Sequence, residues 1–201
     1  MRSIGKGFNH RIGKSLKLFA RRVLPLIIDR AREDYRRLES CVKRGQTRRL
    51  MRELGLRSPA SKVGGIVYVG RMLDKIRQHT KGQLPSDYQA NLGRGFDATC
   101  ARFLRVDHNQ LIERVKDGGS DDEILQWCFS IGHRPTDDEI YVWNEFMRKR
   151  GWNDELSEIL KRRKKEAGMA GRSEIQTMFT FIDADEGRLL VGNQKLQPSP
   201  D

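Results

Sequence analysis

Tyr68, Arg71, Asp74, Lys75 and Gln78 recur at spacings of three, four and seven residues. On a helix that spacing stacks side chains on or beside one face. A guanidinium and an ammonium placed this way can hold a carboxylate or phosphate. A carboxylate beside them can take a proton as a general base. Tyr88 and Asp97, in the following loop and helix, are placed to complete such a pocket. Gly64, Gly65 and Gly70 lie in the same stretch. Inside a helix each costs about 1 kcal/mol relative to alanine. The missing side chains must therefore let something approach the backbone, either a second helix packed close or a ligand held by Arg71 or Lys75.

Other groups point to no further chemistry. His10, His79, His108 and His133 show neither the i, i+4 pairing nor the flanking Glu of a zinc helix, so no metal site is expected. There is no G-x-S-x-G, no phosphate-binding P-loop and no G-x-G-x-x-G. Gly93-Arg94-Gly95-Phe96-Asp97 opens a helix, but two glycines indicate a turn before they indicate an anion cradle. Asp183, Asp185 and Glu186 precede Gly187, which comes one place too early for a calcium loop. The acidic triplets at 121–123 and 137–139 are explained by their place in a first helical turn, where negative charge complements the helix dipole. The basic run at 161–165 reads as a solvated helix face, since no aromatic residue interleaves it.

The elements that must carry these groups read as helices. Ser58-Pro59 starts one in which Val63, Ile66, Val69, Leu73 and Ile76 keep helical spacing up to Gly82. The β-branched stretch Ile66 to Val69 would also suit a strand, but the period continues past it. Residues 83–95 read as loop, 96–104 as a short helix, and 108–117 as a helix capped by Asp107. Ser120 with Glu123, and Thr136 with Glu139, have the spacing of capping boxes and open two further helices. Asn153 is expected to cap a helix running through Glu166, and Ser173 to open the last one. The expected fold class is all-α: a compact bundle of six or seven short helices preceded by a basic amphipathic N-terminal helix.

The charge is unevenly placed. The 201 residues carry a formal net charge of +12. Residues 1–62 hold 18 Lys+Arg against 5 Asp+Glu, whereas the remainder holds 21 against 22. The basic character thus belongs to an arm and not to the body. Ile12, Leu16, Phe19, Val23 and Ile27 form an apolar stripe in that arm, with Lys14, Lys17, Arg21 and Arg22 off it. The arm is compatible with a docking helix, with tethering to nucleic acid or an anionic surface through those four cations, or with translation that begins at Met51.

Cys41, Cys100 and Cys128 are odd in number and widely spaced, which suits a reducing cytoplasm. No segment reaches the ~18 consecutive apolar residues that a membrane-spanning helix needs, so no transmembrane segment is expected.

Several short motifs, in this order, resemble an uncharacterised bacterial family known as domain of unknown function 5069. They are Leu56-Arg-Ser-Pro59, Lys62-Val-Gly-Gly65, Gly70-Arg-Met-Leu-Asp-Lys75, Gly95-Phe-Asp97, Arg102-Phe-Leu104, Val106-Asp107, Asp121-Asp-Glu-Ile-Leu-Gln-Trp127 and Ile140-Tyr-Val-Trp-Asn144. The likeness covers about residues 54–187. It implies a small cytoplasmic bacterial protein and brings no activity, cofactor or catalytic residue with it. Gly64, Gly65, Arg71, Asp74, Lys75 and Asp97 fall on its motif positions.

The expected organisation is an arm over 1–53, a helical domain over 54–187 and a flexible tail over 188–201. The leading functional expectation is a non-catalytic module that binds a small anionic ligand or a protein partner through Gly64, Gly65, Tyr68, Arg71, Asp74, Lys75, Tyr88 and Asp97, without a cofactor. The alternatives are an enzyme with Asp74 or Asp97 as base and Arg71 or Lys75 as clamp, or nucleic-acid tethering through the arm. The sequence does not indicate the oligomeric state.

Overall fold

The computed structural model describes residues 54–188, within a compact unit spanning Thr47–Asp201. A second unit, Met1–Gln46, lies outside the described residues, as does the expected arm helix. The described part is mostly helical. A two-stranded antiparallel hairpin, β1 (Lys62–Val63) and β2 (Ile66–Val67), leads into α1 (Val69–Thr80). There follow α2 (Ser86–Gln89), α3 (Phe96–Leu104), α4 (His108–Lys116), α5 (Asp121–Ile131), α6 (Asp137–Lys149), α7 (Ser157–Glu166) and α8 (Met178–Asp185). The eight described helices exceed the six or seven expected, partly because the loop read over 83–95 contains α2.

The expected helix from Pro59 to Lys81 is corrected in its first half. Val63 pairs with Ile66 and Lys62 with Val67 across a two-residue turn. Both turn residues, Gly64 and Gly65, have positive φ, 54° and 78°. A turn of that kind matches the twist of two short strands and needs residues free of a Cβ clash at both positions. Gly64 and Gly65 are therefore turn residues, not gaps in a helix. The helix begins only after Tyr68, itself at φ 73°.

Elsewhere local signals set the ends. The Ser120 and Thr136 hydroxyls accept from the Glu123 and Glu139 amides, and both glutamates reach back to the cap amide. The Asp107 carboxylate accepts from the amides of Asn109 and Gln110. Asn153 caps nothing. Its backbone is left-handed, and Asp154 instead binds the amides of Gly151 and Leu156, which delays α7 to Ser157. The last helix is opened not by Ser173 but by Thr177, whose hydroxyl takes the Thr180 amide.

The main core gathers Ile66, Val67, Met72, Leu73, Ile76, Leu104, Leu111, Ile124, Leu125, Trp143 and Met147 around the hairpin and α1. Cys100 and Cys128 are buried in it as free thiols. Burial pushes the Cys128 thiol up to about 11 and Cys100 further, so both behave as small apolar groups. A smaller cluster, with Leu160, Ile175 and Phe181, joins α7 to α8. No described helix is long and apolar enough to cross a membrane.

Candidate functional site

Helix α1 carries three of the expected charged residues, and the structure sends each to a different partner. Lys75 turns inward to the carboxylate of Asp97 at the start of α3. The Tyr68 hydroxyl donates to the same carboxylate oxygen at 2.9 Å and lies 3.1 Å from Lys75 Nζ. The other oxygen of Asp97 accepts the Gly93 amide at 3.1 Å. Lys75 is 5% exposed and Asp97 is fully buried. Burial lowers the proton affinity of Lys75, while Asp97 opposes that shift. Burial also holds the Tyr68 phenol well above its usual range, and Asp97 adds to the effect. Around this triad Tyr68, Phe96 and Phe179 pack ring against ring, with centroids 5.5 to 6.0 Å apart.

Arg71 goes elsewhere. Its guanidinium grips both oxygens of Glu186, just beyond α8, and donates to the Arg57 carbonyl at 2.8 Å. The Tyr88 hydroxyl donates to Glu186 at 2.7 Å, and Arg188 adds a second guanidinium. Burial would raise the Glu186 carboxyl, but hydrogen bonding and charge from Arg71 win and hold it below the usual carboxylate range. Arg188 also binds Asp183 at 2.6 Å and the Leu56 carbonyl at 3.0 Å.

Asp74 belongs to a third, partly exposed group. It accepts from the amide, Nε and Nη2 of Arg57 at 3.0, 2.8 and 2.7 Å. Arg57 also binds Asp121, which Arg77 holds from the other side at 2.6 Å. The guanidinium of Arg57 occupies the space a Cβ on Gly70 would need. The smooth side of α1 thus accommodates a side chain of the preceding loop.

The eight expected residues thus fall in four places. Tyr68, Lys75 and Asp97 meet; Arg71 and Tyr88 meet at Glu186; Asp74 faces Arg57; Gly64 and Gly65 lie beside the side chains of Leu125 and Ile140. Lys14, Lys17, Arg21 and Arg22 lie outside the described residues. Among the described residues no cluster of His, Cys, Asp and Glu is arranged to hold a metal ion.

The family model described as a domain of unknown function (DUF5069) matches residues 53–188. The chain belongs to this family. No curated protein matches it.

Sequence reasoning missed Arg57, Asn144 and Glu186 in the DUF5069 domain. Glu186 was visible only as part of a failed calcium loop, and its partners Arg71 and Tyr88 are remote in sequence. Asn144 is buried in α6 and binds the hairpin, accepting the Val67 amide and donating to the Gly65 carbonyl, both at 2.9 Å. Beside it the Trp143 indole donates to the Val67 carbonyl at 3.3 Å.

Two surface grooves are lined by none of the eight residues. One, of about 370 Å³, is lined by Phe103, Asp138, Glu139, Val142, Trp143 and Phe146. Its floor is the stacked pair of Phe103 and Trp143, with centroids 4.3 Å apart. The other, of about 730 Å³, is more polar and includes Arg105, Asn109, Arg114, Trp127 and Ile131. In the first groove Val142 and Phe146 are 64% and 46% exposed, and Tyr141, on the same helix, is 68% exposed.

Proposed function

We propose that the DUF5069 domain of this chain is a non-catalytic binding module, and that its partner is a protein docking on the exposed side of α6. The observation that carries this reading is that Val142 and Phe146 line an apolar groove while standing in solvent, with Tyr141 exposed on the same helix. Clustered large apolar side chains in water mark interaction surfaces far more than scattered ones do.

The charged residues of α1 support the same choice by being already engaged. A small anion would have to displace Glu186 from Arg71 or Asp97 from Lys75, and both pairs are buried. Turnover at Asp97 would need a substrate to reach a carboxylate with no exposed surface. These groups hold elements together, while α6 leaves large apolar side chains facing solvent between its charged ends. The cytoplasmic, reducing setting suggested by the cysteines belongs to the same proposal.

The test is a photo-crosslinking residue, p-benzoylphenylalanine, placed in the full chain at Tyr141 and, as a control, at exposed Lys116 on α4. Irradiation in cells should give an adduct with another polypeptide from position 141 and not from 116. Adding Phe146→Ser should remove the adduct while the chain stays folded at the temperature of the experiment. No adduct at 141, or equal adducts at both positions, would overturn the reading.

A further inference from the structure

Helix α6 is charged in opposite senses at its two ends. Asp137, Asp138 and Glu139 form its first turn, and Arg148 and Lys149 its last. Between them the outward face runs through Val142, Glu145 and Phe146, with Tyr141 at its edge, whereas Trp143, Asn144 and Met147 are buried on the other side. Asp138, Val142, Glu145 and Lys149 step by three or four and so share one stripe.

We propose that the protein docking on this face is a second copy of the same chain, packed antiparallel along α6; the proposal rests on the reading given above. A twofold interface must be self-complementary, because the same patch serves on both sides. Two α6 helices crossing midway between Asp138 and Lys149 meet that condition. The acidic first turn of each lies against the basic last turn of the other. A twofold axis perpendicular to the helices keeps each flank facing its own counterpart, so Val142 of one copy meets Phe146 of the other. An unrelated basic segment would match only the acidic end and would oppose Arg148 and Lys149. An unrelated acidic segment would have the reverse difficulty. Only a partner with both charges in inverted order satisfies the whole helix, and this chain is such a partner.

The local ion pairs do not prevent it. Lys149 binds Glu145 of its own helix at 2.9 Å, with both side chains substantially exposed. Exchanging such a pair for one between copies costs little, since exposed pairs contribute about 0–1 kcal/mol. Glu139 is committed to its cap and to His133 at 3.0 Å, and of the two remaining acids Asp138 is the one on the stripe with Lys149.

The experiment is sedimentation equilibrium on the full chain, with Asp138→Lys and Lys149→Glu made separately. The unaltered chain should dimerise reversibly. Each substitution sets like charges against each other at both ends and should raise the dimer Kd about tenfold or more, with less effect in high salt. An equimolar mixture of the two variants should recover dimer, because every opposed pair is again of opposite sign. Loss of fold cannot produce that rescue. A chain that stays monomeric at all concentrations, variants that match the unaltered chain, or a mixture that fails to recover would overturn the proposal. A monomeric chain that still gives the Tyr141 adduct with a different polypeptide would remove the second copy and keep the docking face. A monomeric chain without any adduct would remove both.

Discussion

Arg71 and Glu186 stand 115 positions apart in the chain and close a two-pronged ion pair in the interior. Neither side chain is more than 3% exposed. The pair ties α1 to the segment just beyond α8 and joins Tyr88 and Arg188 to the same carboxylate.

Removing Arg71 should therefore leave the buried Glu186 carboxylate with only Arg188 and Tyr88. Arg71→Ala is expected to cost about 1–3 kcal/mol in urea unfolding, the loss of hydrogen bonds to a buried charged group. Arg71→Met combined with Glu186→Gln should recover part of that loss, since the partly unpaired charge is gone and Tyr88 keeps an acceptor. Equal stability of Arg71→Ala and the unaltered protein would show that the pair does not hold the fold.

The same carboxylate sets an acid limit. Its folded proton affinity is lowered, through Arg71 against the opposing effect of burial. A depressed acid contributes stability fully above its unfolded value, about 4.3, and loses it as pH falls through the folded value below that. Stability measured against pH should fall below about 4.3, and Glu186→Gln should flatten that limb while lowering stability at neutral pH. Parallel acid limbs in both proteins would assign the loss to other carboxylates.

Asn144 anchors the hairpin by serving one donor and one acceptor of its backbone. Asn144→Ala leaves the Val67 amide and the Gly65 carbonyl without those partners. The expected loss is about 2–4 kcal/mol, from orphaned polar groups at about 1–3 kcal/mol each. Amide exchange at Val67 should accelerate more than at Leu125 in α5; uniform acceleration would mean the whole domain had loosened.

Two glycines separate backbone freedom from packing. Gly82 has φ 67° and open space where a Cβ would go, so Gly82→Ala should cost about 1–2 kcal/mol from the left-handed backbone alone. Gly64 has φ 54°, and a Cβ there would lie inside contact distance of Leu125 Cδ2. Gly64→Ala should cost a further ~1–3 kcal/mol for overpacking. Equal losses, read from chemical denaturation, would mean that Leu125 moves aside freely.

What the sequence disclosed was local. The Ser120 and Thr136 caps, Asp107, and the spans of α3 and α4 follow from interactions within a few residues, and each was legible. The hairpin was not, because Ile66, Val69, Leu73 and Ile76 suit a helical period as well as a strand that turns into a helix. Only the paired positive φ values at Gly64 and Gly65 separate the two. The charged face of α1 was legible as residues and misread as a shared pocket. Spacing places Arg71, Asp74 and Lys75 on neighbouring parts of one helix, but Glu186, Arg57 and Asp97 draw them apart. Asn144 stands out in the sequence only as part of a motif, since its partner Val67 lies 77 positions away.

Arg188 reaches the Leu56 carbonyl, and Ser58 binds Asp183 at 2.7 Å. The strand of chain entering the domain and the one leaving it are thus fastened side by side. Such a body behaves like a bead with both threads at one knot: cutting it open at the exposed Gly118-Gly119 turn and splicing its old ends should preserve it. It also means that the described body begins and ends at neighbouring points, so its two ends can be joined over a short distance.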